Sequence, residues 1–251
     1  MIRRLLRQTI LKRIYQPDRL PTLTGHYRGA GFERIEVQTS DGLALSGLRS
    51  YPLETAVRGS ILYFHGNGGC AANRANLVGP LVAHGWDVIV ADYRGYGDNE
   101  GVPSEVGLME DAAAFMSYAR ESSSAPLIVF GHSLGGAIAI SLLASDADNV
   151  VGLLTLGTFA SLALRSPAWV RDYLPESYDA IGKAMDVKVP WIIAHERGDE
   201  VTSAQHAMML HHASGTSGRV QLSLLEGGSH ALDAQKLIPL LDNLLAKKAL
   251  S

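Results

Sequence analysis

A chain of 251 residues, 47% of them hydrophobic, is long enough to bury a full core as one domain and demands no second. A formal net charge of -3 offers no basic field for nucleic acid, and the single cysteine, Cys70, excludes an intrachain disulfide and leaves no requirement for an oxidising compartment. No apolar run approaches the roughly 20 residues that span a bilayer, so the expectation is a cytoplasmic protein in which any membrane contact is peripheral, through residues 1–19.

Residues 1–19 depart from that average. Arg3, Arg4, Arg7, Lys12, Arg13 and Arg19 stand against one acid, Asp18, with Ile2, Leu5, Leu6, Ile10, Leu11 and Ile14 at helical spacing. The segment 1–20 therefore reads as a basic amphipathic helix. Such a helix can lie on an anionic membrane, act as a transit peptide, or pack its apolar side on the rest of the protein, and the pattern serves all three. Residues 33–251 read as one domain in which short apolar strands alternate with helical patterns. Strands are expected at Glu33 to Gln38 and Leu43 to Tyr51, joined in a hairpin by Ser40-Asp41-Gly42, because Asp-Gly favours a tight turn. Ser60 to Phe64, Trp86 to Ala91, Leu127 to Phe130, Val151 to Leu156, Trp191 to Ala194 and Val220 to Leu225 follow. Helices fall between them, at about Ala71 to His84, Ser104 to Arg120, Leu134 to Ala144 and Ser203 to His212, with Ala234 to Lys248 at the end. The alternation predicts an α/β fold with a mostly parallel eight-stranded sheet, helices on both faces, and functional groups at the carboxyl ends of the strands.

The informative residues fall at those ends. Ser133 lies in Gly131-His132-Ser133-Leu134-Gly135, directly after an apolar strand and directly before a small-residue helix. That context is a nucleophile elbow, a turn so tight that its neighbours must be glycine, and it aims the unpaired N–H groups of a helix N-terminus at the same point. After Ser60 to Phe64 comes His65-Gly66-Asn67-Gly68-Gly69, whose backbone can approach a substrate oxygen; Asn67 N–H and Leu134 N–H are the candidate oxyanion donors. Asp199 follows the seventh strand in Gly198-Asp199-Glu200-Val201, and His230 follows the eighth in Gly228-Ser229-His230. Serine, acid and histidine in that order supply a nucleophile, an orienting carboxylate and a general base. Glu196, Glu200 and Asp172 remain alternatives to Asp199. His65 and His132 are expected to support the site rather than react, Asp92 and Arg94 to build loops, and Cys70 to be a small packed residue. The histidines 206, 211 and 212 lie in a helical stretch on different faces, which does not suit a metal cluster.

With Asp92-Tyr93-Arg94-Gly95-Tyr96-Gly97 added to these motifs, the chain from about Glu33 onward resembles the α/β-hydrolase superfamily, in particular the branch of serine-aminopeptidase-like hydrolases, lysophospholipid lipases and protein depalmitoylases. The resemblance implies a serine hydrolase with catalytic Ser133, Asp199 and His230, and a small cap between strands six and seven at about residues 158–189. Two positions depart from the branch. Glu196 stands where glycine is common, placing a second carboxylate near Asp199, and Asp98-Asn99 replaces a small serine, adding charge at the expected cleft rim.

The reaction implied needs no metal or organic cofactor. Pro167, Trp169, Val170, Tyr173, Leu174, Tyr178, Ile181 and Met185 make the cap segment apolar, which suits a lipid-like acyl chain on an ester or thioester and equally suits helices packed on the core. Two other function classes fit parts of the chain. A hydrolase-fold binding protein without turnover would keep the architecture alone. A nucleotide-binding oxidoreductase would use Gly66-Asn67-Gly68-Gly69-Cys70-Ala71 as G-x-G-x-x-A, with Asp92 reaching a ribose.

Overall fold

Runs such as Ile61-Leu62-Tyr63-Phe64 are apolar at every position because both sides of the strand are covered. Leu62 and Phe64 enter one core layer, while Ile61 and Tyr63 enter the other. The computed structural model describes residues 2–20, 25–27, 30–53, 55–215 and 218–248. Its antiparallel hairpin is β1 (Ala30–Gln38) and β2 (Ala44–Pro52), turning through Gly42 at φ +92°. The parallel strands are β3 (Gly59–Phe64), β4 (Trp86–Ala91), β5 (Leu127–His132), β6 (Val150–Leu156), β7 (Trp191–Glu196) and β8 (Val220–Leu225). They lie in the order β8-β7-β6-β5-β3-β4-β2-β1, and a three-residue strand, Gly25–Tyr27, extends the β1 edge to make nine. The eight long strands are those expected from the sequence.

Helices cover both faces. One layer is built from α3 (Glu105–Ser122), α4 (Leu134–Ser145) and α7 (Gln205–Ala213), the other from α2 (Ala71–Ala83) and α8 (Ala234–Lys248). The chain leaves β3 toward β4 on one side and leaves β5 toward β6 on the other. The carboxyl ends of β3 and β5 therefore flank a crevice where the strand order reverses, the usual ligand position in open α/β sheets.

The N-terminal helix α1 spans Ile2–Ile14 and is packed on the domain, with Ile10, Ile14 and the following Tyr15 buried in the same layer as α3 and α4. The chain then runs through Gln16–Pro17, which pair in parallel with Gly68–Gly69. This two-residue bridge was not expected. Between β6 and β7, the segment 158–189 forms α5 (Leu162–Arg165), a 3-10 turn at Ala168–Tyr173, α6 (Ala180–Lys183) and a second 3-10 turn at Ala184–Asp186. Phe159, Ala160, Leu162, Tyr178, Ala180, Ala184 and Val187 are buried in the core, whereas Trp169 and Met185 are exposed. No helix among the described residues is long and apolar enough to cross a membrane.

Candidate active site

Ser133 follows β5 with φ 53° and ψ -114°, a conformation that L residues rarely adopt and that costs of order 1–3 kcal/mol unless the surroundings enforce it. Here they do. Ser133 N–H donates to Leu156 C=O at 2.9 Å, and Gly136 N–H donates to Ser133 C=O at 3.0 Å. A side chain at Gly135 would run into the Phe64 backbone, so α4 can approach β3 only with glycine there. Ser133 occupies the N-cap position of α4, yet its hydroxyl makes no cap hydrogen bond, which leaves the oxygen uncommitted.

Asp199 follows β7 and is held on every side. One carboxylate oxygen accepts from Val201 N–H at 2.8 Å and Thr202 N–H at 2.9 Å, and the other accepts from His230 Nδ1–H at 2.7 Å with His195 Nε2 at 3.4 Å. Burial pushes this carboxyl up, but the hydrogen bonds from Thr202, His230 and Val201 outweigh it and hold the group below the usual carboxylate range. Asp199 is therefore an anion facing an imidazole. Gly157, at φ +60°, ends β6 against that imidazole; a Cβ there would lie 3.1 Å from His230 Cε1 and 3.4 Å from Asp199 Oδ2. Ser133 Oγ and His230 are not hydrogen-bonded to each other. His132, next to Ser133, donates from Nε2–H to His230 C=O at 2.8 Å and so ties the elbow to the histidine loop.

The other carboxylates take different roles. Glu196 accepts from Ser229 N–H at 2.7 Å and from Lys236 Nζ at 2.7 Å, fixing the loop that carries His230. The Lys236 ammonium, foremost, holds its carboxyl below the ordinary range. Sequence reasoning noticed Glu196 only as a competitor to Asp199, because its lysine partner lies on α8. Glu200 is exposed, and Asp172 lines a separate cavity with Arg7. The expectation that Asp98-Asn99 charges the cleft rim is corrected. Asn99 is buried, its side chain bonded to the Ser46 backbone and to Asp92 C=O, while Asp98 pairs with Arg34 and Ser46 Oγ. The pair braces β2 instead.

Asn67 and Leu134 line one small space with Ser133, together with Ile14, Phe159, Leu162 and Arg165. Among the described residues neither Asn67 N–H nor Leu134 N–H donates a backbone hydrogen bond. The Asn67 carbonyl accepts from Tyr96 Oη–H at 2.9 Å and from Gln16 N–H at 3.0 Å, so the loop after β3 is clamped by an element of the domain and by the N-terminal segment. Below it, Asp92 is fully buried and bonded to His65 Nε2 at 3.2 Å and to Ala71 N–H at 3.0 Å. A carboxylate occupied in this way is not presented to a ribose, which removes the basis of the dinucleotide reading. Arg94 is bound by Asp41, Glu110 and Asp111, in keeping with a loop-building role, and Cys70 is buried at the start of α2.

Residues 55–177 match the family model described as serine aminopeptidase, S33. The chain has the α/β-hydrolase fold. Among the proteins it is similar to, protein bem46 of Schizosaccharomyces pombe is 35% identical over 136 residues, 52% of this chain and 46% of that protein. The lysophosphatidylserine lipase ABHD12 of Danio rerio is 41% identical over 92 residues, 36% of this chain and 24% of that one. This hydrolase-fold chain thus spans less than half the length of these relatives. A solved cold-adapted esterase from an Arctic intertidal metagenomic library superposes with a TM-score of 0.67 at 18% identity, covering 89% of this chain and 96% of that one.

Proposed function

We propose that this protein is a serine hydrolase that cleaves carboxylic esters or thioesters with lipid-like acyl groups through an acyl-enzyme intermediate on Ser133. The observation that carries the reading is the 2.7 Å hydrogen bond between ionised Asp199 and His230 Nδ1, at the same strand ends as a serine held at φ 53°. A neutral hydroxyl is a weak nucleophile, so His230 Nε2 accepts the Ser133 proton as Oγ attacks the acyl carbon. Asp199 holds the tautomer with hydrogen on Nδ1 and stabilises the imidazolium without taking the proton. The tetrahedral oxyanion receives Asn67 N–H and Leu134 N–H, each worth about 3 kcal/mol in the transition state. The imidazolium then protonates the departing alcohol or thiol, and water activated by the same ring releases the acid. The lysophosphatidylserine lipase among the relatives supports an ester over an amide. The apolar cap segment supports an acyl chain.

Asp199→Asn should lower kcat by about 10³ to 10⁴ while KM changes little, because the lost interaction is realised mainly in the transition state. Steady-state hydrolysis of p-nitrophenyl octanoate measures this, with Ser133→Ala as the inactive reference. Asp199→Asn at wild-type kcat would refute the assignment of the acid. Acetyl esters turned over far better than octanoyl esters would refute the lipid-like substrate.

A further inference from the structure

An apolar cavity of about 360 Å³ runs between α1 and the segment after β6. Leu6, Ile10 and Ile14 form one wall, and Leu162, Val170 and Leu174 form the other. No acidic residue lines it among the described residues; its charged groups are Arg13 and Arg165. The cavity shares Ile14, Leu162 and Arg165 with the space over Ser133, which itself has a volume of only about 20 Å³. Any acyl group longer than a few carbons bonded to Ser133 Oγ must therefore continue elsewhere, and the adjoining apolar cavity is where its lining leads.

The wall contributed by α1 is fixed rather than loosely laid on. Ile10 and Ile14 are buried, Tyr15 Oη and Tyr178 Oη lie 2.7 Å apart, and Gln16 N–H donates to Asn67 C=O at 3.0 Å. The helix also lies outside residues 55–177, the part matched by the family model. We propose that the cavity between α1 and the 162–174 segment binds the substrate's acyl chain, so that the N-terminal helix is a wall of the active site and sets acyl-chain selectivity. The proposal rests on the ester-hydrolase reading. Its volume suits a small-molecule site, and each methylene moved from water into such a lining strengthens binding by about fourfold. Chain selectivity then comes from length alone, since no directed polar group is needed along the stem.

The test combines turnover with binding. Wild type, Leu6→Phe and Val170→Phe are compared on p-nitrophenyl acetate and octanoate, folding being checked by circular dichroism. The expected result is an octanoate-to-acetate kcat/KM ratio above ten in wild type and at least tenfold lower in both variants. Dodecanoate is titrated separately into Ser133→Ala and read by tryptophan emission. Trp86 and Trp191 are fully buried, whereas Trp169, on the cavity, is 72% exposed, so saturable binding should shift its emission to the blue. An unchanged ratio in both folded variants overturns the proposal, as does absence of dodecanoate binding. A ratio changed only by Val170→Phe overturns the role of α1. Dodecanoate binding without turnover of any ester would sink the hydrolase reading and leave the acyl cavity standing.

Discussion

His132 shows how closely single residues are committed around the elbow. Burial first, and then the neighbouring His230, bring its pKa from 6.5 down to about 3, and its Nδ1 has no hydrogen-bond partner among the described residues. The ring is therefore neutral, donating through Nε2–H to His230 C=O. Between about 6.5 and about 3 the unfolded chain binds a proton that native His132 refuses, so stability falls as pH falls through that window, by up to about 1.4 kcal/mol per pH unit. His195, whose pKa burial also lowers, acts in the same direction. Melting temperature should accordingly drop from pH 7 to pH 5. His132→Gln, which keeps a donor near the Nε2 position but does not titrate, should flatten that drop. A variant slope equal to the wild-type slope would show that His132 is not the group responsible. Glu196 makes the complementary point: a residue that looks like a spare catalytic acid in sequence is a loop anchor once Ser229 and Lys236 are seen around it.

At the scale of elements, the N-terminal helix links stability to the site. Its burial of Ile10, Ile14 and Tyr15 is worth roughly 5 kcal/mol on the usual scale for large apolar side chains. The bridge from Gln16–Pro17 to Gly68–Gly69 holds the loop that carries Asn67. Removing residues 1–19 should lower the melting temperature markedly and also lower kcat on a short ester, because Asn67 C=O loses the Gln16 donor. A truncated protein with an unchanged melting temperature would contradict this packing. The strands and long helices were legible in the sequence because burial on two faces writes an apolar run such as Val88-Ile89-Val90-Ala91, and Gly or Asp punctuates its ends. The Gln16–Pro17 bridge was not, since two residues carry no period and Pro17 argues against a ladder. The basic helix was legible as a helix, but its sequence pattern gave no sign of which surface its apolar side would meet. The burial of Asn99 was hidden for a similar reason: Ser46, which it bonds through both side-chain atoms, lies 53 residues away on β2.

At the scale of the whole molecule, the sheet topology brings together groups that are distant in the chain. The crevice between β3 and β5 receives the Asn67 loop and the Ser133 elbow, while β7 and β8 deliver Asp199 and His230 as neighbours through parallel pairing in register, Glu196 opposite Leu225. The order of the motifs along the sequence was enough to anticipate that convergence, because a glycine-flanked residue after each strand has only one end of a parallel sheet to occupy. The enclosure over Ser133 by Ile14 and Arg165 could not be anticipated, as it depends on where α1 docks. The proposed function requires Ser133 to be an activated nucleophile. Its most direct test is the intact mass of the purified protein after reaction with a fluorophosphonate small enough for the enclosed site, with Ser133→Ala as control. The expected result is one stoichiometric adduct that is absent from the variant. An unmodified mass on folded wild-type protein, or an adduct that persists in Ser133→Ala, would contradict it.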